Sequence, residues 1–128
     1  MNYPPEYENT VFHLESPPHP LPTEFAIITA HNPKDQSTDA AQNLAKDREL
    51  HECIEPLNVT YFRATGASPD GTHREAGWAA AISKDAAVQL GKSFHQTGIW
   101  WVSANQLTLI TCEDGHEFPM RTFSDRIV

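Results

Sequence analysis

Thr29, His31, Asn32, Asn43, Glu75, His95 and Gln96 are the polar residues of this chain whose types and placing can do chemistry. The first three lie in FAIITAHNP, residues 25–33, where four hydrophobic residues run into a Thr/His/Asn cluster stopped by Pro33. A strand that empties into a polar turn ahead of a helix is a common place for a site, because loops held by a rigid scaffold carry function. The helix start that follows offers free amides and the positive end of a dipole, which suits an anionic group. His31 is the natural acid/base candidate and Glu75 the natural carboxylate. Asn43 is expected near the start of the first helix on its apolar face, and a buried amide needs partners. Gln96 is expected to close the second helix. The same residues also suit a plainer role: Asn32-Pro33 as a turn, Asn43 as its buttress and Gln96 as a brace.

The elements that must position these residues follow from the pattern. Residues 1–23 hold six of the ten prolines. Proline fixes φ and lacks an amide donor, so this is a proline-rich arm rather than a helix or central strand. Within it, TVFHLES (10–16) either supplies an edge strand or lies extended on the domain. Residues 24–30 form the first strand, and Asp35, Ser37 and Thr38 offer capping oxygens for a helix over 38–55. Ala40, Leu44, Leu50 and Ile54 share one face of that helix, with Asn43, Asp47 and His51 as polar intruders. Residues 57–65, rich in β-branched and aromatic types, form a strand. A loop over 66–73 leads to a returning strand at 74–82. One face of that strand, Glu75, Gly77, Ala79 and Ala81, is nearly bare, so a helix or a ligand can approach it closely. Ser83 caps a second helix over 84–96, with Ala87, Leu90, Gly91 and Phe94 as its stripe and Gly98 as its stop. Strands at 99–103 and 107–112 follow. Trp100 and Trp101, being adjacent on a strand, face opposite ways. Residues 113–128 are expected to be an irregular tail. The order predicts an α+β fold over 24–112: a split βαβ, ferredoxin-like or related two-layer sandwich of about five or six strands and two helices.

Composition narrows the partners. The net charge of −8 disfavours nucleic acid and anionic membranes, both of which reward positive charge. No apolar run approaches the roughly 20 residues of a membrane span, and the first ten residues lack the features of a signal peptide. The expected compartment is the cytoplasm. Cys53 and Cys112 are far apart with no C-x-x-C spacing, so they read as reduced residues. None of the seven histidines has the spacing of a zinc site, and no cofactor loop or nucleophile elbow is present. No metal and no cofactor are expected.

Taken together, Ile28-Thr29-Ala30-His31-Asn32-Pro33, Asn43, Glu75 ahead of Gly77-Trp78, and Phe94-His95-Gln96 resemble a family of short uncharacterised bacterial proteins, a domain of unknown function, over roughly residues 10–112. The resemblance implies a small cytoplasmic bacterial domain and supplies no reaction. It raises Thr29, Asn32, Asn43, Glu75 and Gln96 as a set. In such proteins position 31 is often another large residue, which weakens a catalytic duty for His31. The functional expectation is a regulatory or interaction module that binds a small polar or anionic ligand, or a protein partner, with an enzyme as the alternative: a small hydrolase or transferase using Glu75 with the Thr29–Asn32 turn. An exposed sheet edge would also suit a homodimer.

Overall fold

A computed structural model describes residues 3–33 and 36–128. Among them seven strands form one sheet in the order β1-β3-β4-β2-β5-β6-β7, every neighbouring pair antiparallel. The strands are β1 Val11–Glu15, β2 Glu24–Thr29, β3 Tyr61–Ala67, β4 Arg74–Ala80, β5 Gly98–Ser103, β6 Gln106–Thr111 and β7 Glu117–Thr122. Two helices, α1 Ala40–Ile54 and α2 Lys84–Ser93, complete an α+β fold. The sheet curls into a half-barrel rather than forming the expected ferredoxin-like sandwich of five or six strands. The extra strand is β7, in the segment expected to be irregular, where Met120 and Phe123 are buried.

Alternation along the strands creates two cores. On the helix face, Ala26, Ile28, Ala80, Ile99, Trp101 and Ile110 meet Leu50 and Ile54 of α1 and Ala87 of α2. On the concave face, Phe12, Phe25, Ile27, Phe62, Leu107, Leu109, Met120 and Phe123 fill one end of the half-barrel. The adjacent tryptophans divide between them. Trp101 joins the helix-face core, and Trp100 sits edge-on to Phe12 at 5.4 Å on the concave side. The bare side of β4 therefore faces the concavity and not a helix.

Glycines let the sheet curl. A Cβ built on Gly77 falls 2.6 Å from the Ile28 carbonyl oxygen and 3.0 Å from that of Ala64, on both neighbouring strands. On Gly98 it falls 2.9 Å from the Ile110 oxygen. Strand glycines of this kind mark tight bends where backbones approach closely. The last residues close the open side. Ile127 bridges Phe12 of β1 in parallel, and the Val128 amide donates to the Phe12 oxygen at 3.0 Å. Arg126 donates to the carbonyls of Thr10 and Met120, both at 3.1 Å.

Both helices differ from the sequence reading at their ends, and α1 also in part of its buried face, whereas α2 turns its expected stripe of Ala87, Leu90, Gly91 and Phe94 inward. Asp39 caps α1, its side chain accepting from the Gln42 amide at 2.8 Å. Ser37 and Thr38 lie ahead of the cap, and Asp35 lies outside the described residues. The buried stripe is Asp47, Leu50 and Ile54, whereas Leu44 is 60% exposed. The polar intruders take the inner face because each finds a partner there. Ser83 caps α2 as expected, through the Ala86 amide. That helix ends earlier than Gln96. His95 adopts φ 57°, and the Gln96 amide turns back to the Gly91 oxygen at 2.9 Å, while Gly98 opens β5 instead of stopping the helix.

Candidate functional site

Thr29, Asn32, Asn43, Glu75 and Gln96 meet in one hydrogen-bond network at the end of β2. Thr29 donates its hydroxyl proton to the Ala76 carbonyl at 2.9 Å and accepts from the His31 amide at 3.1 Å. Asn32 takes the left-handed backbone conformation, φ 46°, which asparagine tolerates better than most residues. Its amide proton goes to Asn43 Oδ1 at 3.0 Å, and Asn43 Nδ2 returns a bond to Asn32 Oδ1 at 3.2 Å. Asn32 Oδ1 also accepts from the Thr38 amide, while its Nδ2 donates to Glu75 Oε2, both at 3.0 Å. Gln96 is buried and donates to the His31 carbonyl at 3.1 Å and that of Phe94 at 3.2 Å. The turn is thus held by Asn43 of α1 and by Gln96, three residues past the end of α2.

Glu75 is the acidic centre of the network. Its side chain is 22% exposed, and Oε2 pairs with Asn32 Nδ2 and with His73 Nε2 at 3.0 Å. Oε1 has no hydrogen bond among the described residues. Asn43 stands behind the turn. His31 makes no ring hydrogen bond among the described residues. Burial holds its ring below the ordinary value of 6.5; Glu75 and Asp47 pull it partly back, and Arg63 and His73 add to the lowering. A depressed histidine is charged more readily in the unfolded chain. Its contribution to stability is complete above about pH 6.5 and is lost as pH falls from there through the folded value. His31→Gln is accordingly expected to lose less stability than the wild type between about pH 7.5 and pH 5. Urea unfolding at the two pH values checks this, and an unchanged difference would contradict it.

Thr29, Asn32, Glu75 and Gln96 edge a cavity of about 460 Å³ on the concave side. Its floor is a run of small residues: Ala64 of β3 pairs with Gly77 of β4, which pairs with Thr29 of β2, and Gly66 and Gly98 lie at either side. Phe12 and Trp100 form an aromatic wall, and Pro4, Glu6 and Tyr7 of the arm cover it. Tyr7 lies 5.8 Å from the Trp100 ring and Tyr3 4.8 Å from that of Phe118. The arm wall was missed in the sequence reading. Tyr3 and Tyr7, spaced around prolines, were its only signal.

A second polar cluster lies under α1, on the other face of the sheet. Arg63 grips Asp47 with two bonds, 2.7 and 2.9 Å, and stands 3.8 Å above the Trp78 ring. His51 also stacks on the Trp78 ring, at 4.6 Å, with Nε2 3.3 Å from the Tyr61 hydroxyl. These contacts account for Asp47 and His51 as structural groups. Cys53 and Cys112 are both free, and burial pushes the Cys112 thiol up to about 11, far from a reactive thiolate. Among the described residues no three His, Cys, Asp or Glu side chains gather as a metal site, and no helix is long and apolar enough to cross a membrane.

A family model described as a protein of unknown function, DUF3293, matches residues 28–99, more than half of the chain. The chain belongs to the DUF3293 family. No curated protein and no solved structure matches it. The DUF3293 match contains all five residues of the network and the small-residue floor. It leaves out the arm, β1, β6, β7 and most of β2 and β5, so the aromatic residues around the cavity, Tyr7, Phe12 and Trp100, all come from outside the matched region.

Proposed function

We propose that this DUF3293 chain is a small-molecule-binding module whose ligand occupies the concave cavity. The observation that carries this reading is the cavity's construction. Its floor is kept clear by small residues on adjacent strands, and its rim holds polar groups fixed by a braced turn. A volume of about 460 Å³ falls within the usual range of small-molecule sites. A bacterial, cytoplasmic setting goes with this proposal, as does a regulatory role; a protein partner or second copy would act beside the ligand.

The test exploits Gly66. A Cβ there meets only Thr10 Cγ2 at 3.5 Å and Phe12 Cε1 at 3.9 Å, which is ordinary contact. Gly66→Val is expected to keep the fold, because the Cβ has room and replacing a strand glycine recovers roughly 0.5–1 kcal/mol, while its methyl groups enter the cavity. In a fragment screen followed by amide NMR shifts, binders should move Thr29, Gly66, Gly77 and Gly98 in the wild type. They should fail to bind Gly66→Val. Binders unaffected by the substitution, or none that move these amides, would refute the cavity as the site.

An enzymatic alternative, a hydrolase or transferase, draws support from Glu75, whose carboxylate is 3.0 Å from both Asn32 Nδ2 and His73 Nε2. In it Glu75 acts as the acid/base and the 29–32 turn positions substrate. Thr29 is a poor nucleophile here, since its proton is committed to the Ala76 carbonyl. Turnover lost in Glu75→Gln with fragment binding kept would favour this alternative over simple binding.

A further inference from the structure

Resting on the cavity reading, we infer that the ligand is a cation with a flat apolar body, an organic ammonium or guanidinium, rather than an anion. Three observations converge. The acidic lining consists of Glu6 and Glu75, the one lining histidine, His73, is already paired with Glu75 Oε2, and no Lys or Arg of the described residues lines the cavity. Glu75 keeps Oε1 free of hydrogen bonds among those residues while Asn32 and His73 hold Oε2, so the carboxylate is fixed with one oxygen available. Phe12, Trp100 and Tyr7 supply ring surfaces beside it, and aromatic faces attract cations through their quadrupoles.

The features that would serve an anion are already occupied. The N-terminus of α1 is capped by its own Asp39 carboxylate, and the Asn32 and Thr38 amides are taken by Asn43 Oδ1 and Asn32 Oδ1. Arg63 lies on the other sheet face, bound to Asp47, and Arg126 is held by the carbonyls of Thr10 and Met120. Among the described residues, an anionic group entering the cavity would meet two carboxylates, with His73 already held by one of them, and would lose water without gaining an unpaired counter-charge.

Three probes of one shape separate the charges: benzylammonium, benzyl alcohol and benzoate, titrated into the full chain and followed by amide NMR shifts. Benzylammonium is expected to bind about ten-fold more tightly than the other two, moving Thr29, Gly66 and the Trp100 indole. Glu75→Gln should remove most of that preference. Because Glu75 also braces the turn, Glu6→Gln on the arm provides a second variant, expected to weaken the ammonium probe two- to three-fold and leave the alcohol unchanged. Equal binding of all three probes, or preference for benzoate, would overturn the inference while leaving the cavity reading intact. Binding by none of them would also overturn it, and the wider fragment screen against Gly66→Val then decides the cavity reading separately.

Discussion

Gly77→Ala is expected to destabilise the fold by about 3 kcal/mol, at the upper end of ordinary overpacking. The added Cβ would fall 2.6 Å from one backbone oxygen and 3.0 Å from another. Neither is the tip of a flexible side chain, so the clash is relieved only by moving β2 or β3. For a chain of this length the loss corresponds to roughly a 10 °C fall in Tm. Gly66→Ala, on the neighbouring strand β3 and the same concave face, supplies the contrast. Its Cβ has room, and alanine loses less freedom on folding than glycine in a strand, so it should be neutral or stabilising by about 0.5 kcal/mol. Calorimetric melting of the pair checks both signs. Equal melting temperatures would mean that the curl of the sheet does not depend on Gly77.

Asp47→Ala is expected to cost about 3–4 kcal/mol, the usual penalty for breaking a buried ion pair from one side. Asp47 is only 6% exposed, and its removal leaves the Arg63 guanidinium confined between α1 and the Trp78 ring with the Gly77 carbonyl as its remaining acceptor. The double substitution Asp47→Leu with Arg63→Met should recover most of the loss, because an apolar pair of similar size avoids desolvating two charges. Urea unfolding of the single and double variants measures the difference. A single-variant loss below about 1 kcal/mol would show that Arg63 finds water instead.

Much of the site was legible in the sequence because its residues break local patterns. Asn43 stood out as an amide on an apolar helix face, and it does hold the turn at Asn32. Glu75 stood out at the head of a bare strand face, and that face borders a cavity. Two helices and an α+β class were equally legible from capping residues and hydrophobic periods. The sheet's order and curl were not, because they depend on close approaches such as that of the Ile28 backbone to Gly77, from a strand distant in sequence. The buried face of α1 was read correctly at Leu50 and Ile54 and wrongly at Ala40 and Leu44, for a related reason. Periodicity favours Leu44 over Asp47, and only Arg63, sixteen residues later, makes Asp47 the inner residue. The strand β7 hid behind Pro119 and a polar surround, with Met120 alone buried in it.

The pairing of Phe12 with Ile127 has a consequence for the timing of folding. The two residues are at opposite ends of the described chain, yet their bridge seals the side of the half-barrel where Phe12, Phe25 and Phe123 lie together. During synthesis β1 therefore emerges long before its outer partner exists. Until residues 126–128 appear, an aromatic face and a strand edge stay open to other chains, the kind of surface that chaperones cover. Pairings so distant in sequence also place this fold among the slower folders of its size.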